Sequence, residues 1–278
     1  MARSLWTGSL SFGLVNVPVS LVTAVRDLDL HFQQLHEKDA APIEVQRFCS
    51  QEDVEVDYEE ITHGYELDDG GQVIVSDLEL AAIEPRKTRT IDIEQFIDLV
   101  DVDPIYFDHP YFLVPASSDD GATRAYRLLR EVMIKTERAA LGRFVMRARE
   151  YLAIVRARDG ALTLTTMLFA DEIRPTKGVD AATQKSHKPT RKQLDAAVAV
   201  IEELSCEFEP ETYKDEYRAR LKRVVARKRK GKTIEAPGKR DQPPPPEDLM
   251  AALERTLEEM KQGGSGRWSD AREREDAN

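Results

Sequence analysis

The sequence predicts an α+β protein: a strand-rich core followed by a helical C-terminal arm. Two observations carry this. Up to residue 190, apolar residues mostly fall in short alternating blocks punctuated by Gly and Pro, the pattern of strands and tight turns. After Pro189 the apolar period changes from 2 to 3.6, the pattern of amphipathic helices. The length of 278 residues fits one or two domains and is ample for a buried core. The expected layout is a barrel-like core over 1–190, a helical arm over 191–230 and a flexible basic and Pro-rich tail over 231–278. A short helix is expected near 247–262 of that tail.

The elements follow in order. Leu5 to Ala24, broken by Gly8, Gly13 and Pro18, reads as short strands and turns, with Pro18 confining its strand to an edge or bulge. Tyr58 to Tyr65 reads as a short helix, Asp68-Asp69-Gly70-Gly71 as a turn and Gln72 to Val75 as a strand. Ser76 and Glu79 form a capping box at a helix start. Thr88 to Phe96 alternates, with Ile91, Ile93 and Phe96 on its apolar side. Gly121 to Lys135 reads as a helix with Ala125, Leu128, Leu129, Val132 and Met133 as its stripe. Arg143 to Ala157 reads as a hairpin and Ala161 to Phe169 as a further strand. In the arm, Leu194, Val198, Ile201, Leu204 and Phe208 form one stripe, and Tyr213, Tyr217, Leu221 and Val224 form a second beyond Pro210. Two wide apolar faces outside the strand-rich region must pack on the core or on another chain.

Charge is strongly polarised along the chain. The net charge is −11, but residues 1–103 carry −15 and residues 211–240 carry +8. Between Ala122 and Arg158 stand nine Arg and one Lys against three Glu. A chain divided like this can present a positive surface to a polyanion while remaining acidic overall. On the expected hairpin, Arg143, Arg147 and Arg149 fall on one face by alternation. Such a face fills a core poorly and lines a charged groove well, because the guanidinium fork matches phosphate oxygens. The acidic first block should face away from such a ligand.

Catalytic motifs are weak. Asp101, Asp103, Asp108 and His109 lie close in sequence and raise the alternative of a metal-dependent nuclease, although Pro104 and Ile105-Tyr106-Phe107 between them look like turn and strand. No His pair has ligand spacing, and no glycine run matches a phosphate or dinucleotide loop. Cys49 and Cys206 are the two cysteines, too few for a disulfide framework or a four-thiolate zinc site, and each reads as a small buried hydrophobe. No apolar run approaches the ~18 residues of a membrane span, and the start lacks a secretory pattern, so a cytoplasmic location is expected. The chain reads as a binder without enzymatic chemistry, cofactor or metal. A plain β-barrel protein-interaction scaffold is the other alternative.

Several ordered segments resemble the bacterial Ku family. They are Leu5-Trp6-Thr7-Gly8-Ser9-Leu10-Ser11-Phe12-Gly13-Leu14-Val15-Asn16-Val17-Pro18-Val19, Lys87 to Glu94, Asp103-Pro104-Ile105-Tyr106-Phe107, and Pro110-Tyr111-Phe112-Leu113. The Arg147 to Arg158 hairpin, Phe169 to Arg174 and Phe208 to Arg218 complete the set. The resemblance implies a Ku-type β-barrel with a strap and a C-terminal dimerisation arm, two copies of which close a ring around double-stranded DNA. It implies a nucleoid-associated homodimer that binds DNA ends in non-homologous end joining and recruits the ATP-dependent DNA ligase D. Some relatives carry Cys-x-x-Cys near the position of Cys49; this chain does not.

The expected DNA contacts on the barrel are Arg143, Arg147, Arg149 and Arg158, with Lys87 and Arg89 beside them. Lys177, Lys185 and Lys188 belong to a loop-like segment suited to the strap. Arg227, Lys228, Arg229, Lys230 and Lys232 form a basic run that adds sequence-independent affinity. The expected dimer contact consists of Ile201, Leu204, Phe208, Tyr213, Tyr217 and Leu221. The tail helix from Leu249 to Met260 is a candidate partner-docking element.

Overall fold

The first two strands form a hairpin because the sequence alternates and then turns at a glycine. Strand β1 (Ser4–Phe12) pairs antiparallel with β2 (Val15–Thr23), and Phe12 faces Val15 across a two-residue turn. Gly13 takes φ +58° at the first turn position, a conformation such hairpin turns require and glycine adopts without strain. A computed structural model of the chain describes residues 4–83, 89–158, 160–176 and 189–232, together with 252, 253, 255, 256 and 258. It divides into two compact units, Met1–Pro175 and Thr176–Asn278.

The first unit is built on a closed barrel. β5 (Thr90–Asp98), β6 (Phe107–Pro115), β7 (Arg138–Met146), β8 (Arg149–Arg158) and β9 (Ala161–Met167) join the first hairpin in the order β1-β2-β6-β9-β8-β7-β5. The barrel closes through the single parallel pairing, β1 with β5. Closure removes every edge, which corrects the expectation for Pro18. Its strand is paired on both sides, and the Pro18 carbonyl accepts from the Ala116 backbone N–H at 3.2 Å, beyond the Val19–Pro115 rung. Amide and carbonyl of a strand residue face the same neighbour, so the missing N–H falls where the β2–β6 ladder ends.

The interior is filled by Leu10, Val17, Val19, Leu21, Ile91, Leu113, Phe144, Ala153, Val155, Leu162 and Leu164. Helix α2 (Asp120–Thr136) packs on this core through Ala122, Tyr126, Leu129 and Met133. The buried stripe is rotated from the expected one: Leu128 and Val132 are exposed, because Tyr126 fixes which face points inward. Its hydroxyl donates to the Leu113 carbonyl at 2.7 Å and accepts from the Leu162 N–H at 2.7 Å. A second cluster, Ala139, Ile154 and Met167 with Leu141, Leu152 and Phe107, covers the outer face of β7, β8 and β9. These strands are thus buried on both faces, which erases simple alternation.

Two further expectations are corrected. Tyr58 to Tyr65 is not a helix but a 3-10 turn at Tyr58–Glu60 followed by β3 (His63–Glu66), which pairs with β4 (Gln72–Val75). The Asp68 to Gly71 turn offers β3 a partner strand, and cross-strand bonds win over a short helix. In β5 a register shift between Ile93 and Gln95 breaks the alternation, so Phe96 is exposed and instead meets Phe12 edge-on at 6.0 Å. The capping box stands as expected at α1 (Asp77–Ile83): the Ser76 amide and hydroxyl both donate to Glu79. No residue from 24 to 83 is buried, so most of the acidic block lies outside the core.

The second unit contains α3 (Arg191–Leu204) and α4 (Glu216–Arg229). Thr190 and Gln193 cap α3 reciprocally. Phe208 and Tyr213 fall outside both helices, in the connection, where their rings meet at 5.8 Å. Arg227, Lys228 and Arg229 form the last turn of α4, so this part of the basic run is helical. Residues 233–250 and most of the expected tail helix lie outside the described residues.

Candidate nucleic-acid interface

Arg143, Arg147 and Arg149 do not share one strand face. β7 ends at Met146, Arg147 and Ala148 form the two-residue turn, and Arg149 opens β8 opposite Met146. The turn reverses the chain, so Arg143 lies on the outer face with Leu152, while Arg149 falls on the face of Phe144 and Tyr151. Alternation along a single strand misplaces them because it ignores the hairpin bend. Arg147 and Ala148 adopt φ +53° and +63°, a turn that normally selects Asn-Gly.

Each arginine has a distinct setting. The Arg143 Nε contacts a Glu94 carboxylate oxygen at 3.1 Å. Arg149 contacts Glu172 at 3.1 Å and lies over the Tyr151 ring at 5.3 Å. The other Glu172 oxygen accepts from the Phe169 amide at 2.8 Å, so one carboxylate caps a 3-10 turn and holds Arg149. Arg89 precedes β5 with φ +49°, and its carbonyl accepts from the Ser9 amide at 3.0 Å. Among the described residues, neither Arg89 nor Arg147 forms an ion pair with a carboxylate.

Arg89 and Arg147 line one hollow of about 570 Å3 with Ser4, Leu5, Trp6, Thr7, Val145, Met146 and Ala148. The Trp6 indole N–H donates to the Val145 carbonyl at 3.0 Å and the ring meets Phe144 edge-on at 5.8 Å. Gly8 permits this closeness: a Cβ there would lie 2.0 Å from the Arg89 carbonyl and 2.4 Å from the Trp6 ring. Nearby, burial lifts the Tyr111 phenol above its ordinary range, the Tyr151 phenol adds to this, and the Arg147 charge opposes it.

Arg158 stands at the far end of β8, nine steps from Arg149, or roughly 30 Å at ~3.3 Å per residue. The basic side chains therefore occupy two stations. The far station is a cleft of about 340 Å3 that includes Arg138, Arg156 and Arg158. Arg138 pairs with Asp98, and Arg130 donates to the Gly160 carbonyl at 2.6 Å, tying down the β8–β9 turn. Sequence reasoning did not single out Arg130, Arg138 or Arg156, or the carboxylates Glu94 and Glu172. Lys87, Lys177, Lys185 and Lys188 lie outside the described residues. In the arm, Ile201, Leu204, Phe208, Tyr213 and Tyr217 are exposed and Leu221 is half-buried.

The acidic cluster has structural duties instead of shared ligand geometry. Asp103 caps a 3-10 turn by accepting from the Ile105 amide, and Asp108 accepts from the Thr166 hydroxyl at 2.9 Å. The His109 ring packs on Tyr111 at 4.8 Å. Among the described residues, no group of three or more His, Cys, Asp and Glu side chains is placed to hold a metal ion. The cysteines correct another expectation: Cys49 is half-buried and Cys206 exposed, neither a core residue. Backbone N–H groups of Glu52 and Gln51 draw the Cys49 thiol below its usual range. Among the described residues, no helix is long and apolar enough to cross a membrane.

A closed seven-stranded barrel with a helix packed on its core defines an α+β barrel protein, here with arginines at both ends of one hairpin. The family description "Ku70/Ku80 beta-barrel domain" matches residues 11–196. The chain is 44% identical over 238 residues to the non-homologous end joining protein Ku of Anaeromyxobacter sp. (strain K), covering 85% of this chain and 79% of that protein. It is 38% identical over 275 residues to the non-homologous end joining protein Ku 1 of Saccharopolyspora erythraea, covering 99% and 84%. With the corresponding protein of Bacillus subtilis it shares 33% over 264 residues, covering 93% and 83%. The chain belongs to the bacterial Ku family.

Proposed function

We propose that this chain binds the ends of double-stranded DNA without reading their sequence. In this reading two copies close a ring around the duplex and bring the ATP-dependent DNA ligase D to breaks undergoing non-homologous end joining. The observation that supports it is family membership: the relatives that match over most of the chain are named for end joining. The arginine stations supply the matching physics. Contacts to phosphate and sugar position a protein on DNA without carrying base information, and guanidinium groups suit those contacts.

End selection then follows from topology, since a closed ring reaches a duplex only by threading from a terminus. Arg143, Arg147, Arg149 and Arg158 contact the backbone from the barrel with Lys87 and Arg89 beside them, and Lys177, Lys185 and Lys188 add contacts from the strap. Arg227, Lys228, Arg229, Lys230 and Lys232 add non-specific affinity. The ring is held by Ile201, Leu204, Phe208, Tyr213, Tyr217 and Leu221, whose apolar atoms gain roughly 25 cal/mol for each Å2 removed from water. The complex works in the cytoplasm, on the nucleoid, with no chemistry or cofactor of its own.

The test is a gel shift with a linear duplex and the same duplex closed into a circle, with chelator present. Retention of the linear form alone is the expected result. Equal retention of both forms would mean an ordinary basic-patch binder and would end the ring reading.

A further inference from the structure

We infer that the hollow between Arg89 and Arg147 is a binding site for one unpaired nucleotide at a DNA end, taking its phosphate on the two guanidinium groups and its base against the Trp6 wall. The identity of the ligand rests on the DNA-end reading above; the site itself stands on the following geometry.

The hollow has two kinds of wall. Arg89 and Arg147 contribute charge, while Leu5, Trp6, Val145 and Met146 contribute apolar surface. At about 570 Å3 it falls in the range of small-molecule sites, which combine apolar walls with a few placed polar groups. An unpaired nucleotide presents both partners: an anionic phosphate and a base whose π-face stacks on an aromatic side chain whatever its identity. A nucleotide inside a duplex cannot use the apolar wall, because both its faces are stacked, and a terminal paired base is held back by its partner strand.

The arginines of the hollow differ from their neighbours. Arg143 and Arg149 each face a carboxylate at 3.1 Å, whereas Arg89 and Arg147 pair with no described carboxylate. Both also hold left-handed backbone conformations, as does Ala148 beside them. Such conformations are strained at a non-glycine residue and gather at ligand sites. Here they bring two arginines from separate segments to one hollow, Arg89 ahead of β5 and Arg147 at the β7–β8 turn. The Trp6 ring is pinned before any ligand arrives, by its N–H bond to Val145 and its edge contact with Phe144. Gly8 lets the ring and the Arg89 backbone approach.

The experiment uses the full chain carrying Trp268→Phe, which leaves Trp6 as its single tryptophan. Trp6 fluorescence is titrated with dCMP, cytidine and inorganic phosphate. Saturable quenching by dCMP is expected, at a midpoint at least tenfold below those of cytidine and phosphate. The double variant Arg89→Gln, Arg147→Gln should raise the dCMP midpoint at least tenfold while keeping its circular dichroism and melting temperature. No saturable quenching by dCMP, or phosphate acting as well as dCMP, overturns the nucleotide site. In parallel, a duplex with a short single-stranded overhang should bind at least 5-fold tighter than a blunt one, consistent with the stacking of one base, and an abasic terminal position should remove that gain. Equal binding of the blunt and overhang duplexes, or a gain that survives at an abasic terminal position, overturns the role at DNA ends. Failure of every duplex to bind refutes end binding, while the dCMP titration still decides the site.

Discussion

Arg143 and Glu94 form an ion pair at 3.1 Å beside the β5–β7 ladder, each side chain about half exposed. The candidate DNA contact with the clearest strand position thus has an anion already beside it. A phosphate must compete with that carboxylate.

Glu94→Gln should therefore strengthen DNA binding and steepen its salt dependence by ~0.9 in log–log slope, the increment for one further phosphate contact on duplex DNA. Stability should change by less than about 1 kcal/mol, because exposed pairs contribute little. Filter binding across a salt series checks this, and an unaltered slope would take Arg143 off the interface.

The β7–β8 turn should trade stability against binding. Ala148 holds φ +63°, so Ala148→Gly should stabilise the fold by about 1 kcal/mol and leave DNA affinity unchanged. Arg147→Asn should also relieve the turn yet weaken binding. Urea midpoints read beside DNA titrations separate the two effects.

Tyr126→Phe removes a hydroxyl that joins the β6 and β9 backbones and leaves the buried Leu162 N–H and Leu113 C=O without it. The expected loss is about 1–3 kcal/mol, measured as a lower melting temperature. Burial raises the Tyr126 phenol above its ordinary value, more than the Leu162 amide bond and the Arg130 charge lower it. The neutral phenol is thus favoured by folding: its contribution is complete below the ordinary phenol pKa and is lost as pH rises through the raised folded value. Tyr126→Phe should flatten that alkaline decline, and melts from neutral to strongly alkaline pH would reveal a slope left intact.

Exposed Tyr217 and half-buried Leu221 on α4 make the arm reading testable. The double change Tyr217→Asp, Leu221→Asp should yield folded monomers in light scattering that lose end binding. Monomers that still hold ends tightly would contradict the ring.

Arg227, Lys228 and Arg229 crowd the last turn of α4, where cations oppose the negative helix end. Truncation before Arg227 should flatten the salt slope by up to ~0.9 for each phosphate the run no longer neutralises. Measured with Lys230→Gln, Lys232→Gln as a milder variant, an unmoved slope in both would remove the run from DNA contact.

Sequence patterning determined much of this protein without coordinates. The Gly13 turn, the Ser76–Glu79 box, the strands around Ile91 and Leu164, and the switch to helical period after Pro189 all follow from interactions within a few residues, where local sterics and hydrogen bonding decide. The ordered motifs likewise disclosed the family. Tertiary structure alone decided the rest. Barrel closure gave Pro18 two neighbouring strands, the Tyr126 hydroxyl set the buried face of α2, and a register shift turned Phe96 outward. The hairpin bend separated Arg143 from Arg149, and pairings that span tens of residues set Glu94 and Glu172 against them. The hollow itself joins β1, the start of β5 and the β7–β8 turn, segments as far apart as Trp6 and Val145. Periodicity reports which face of an element is apolar; which side chains meet across the fold depends on register and closure, and those are properties of the whole barrel.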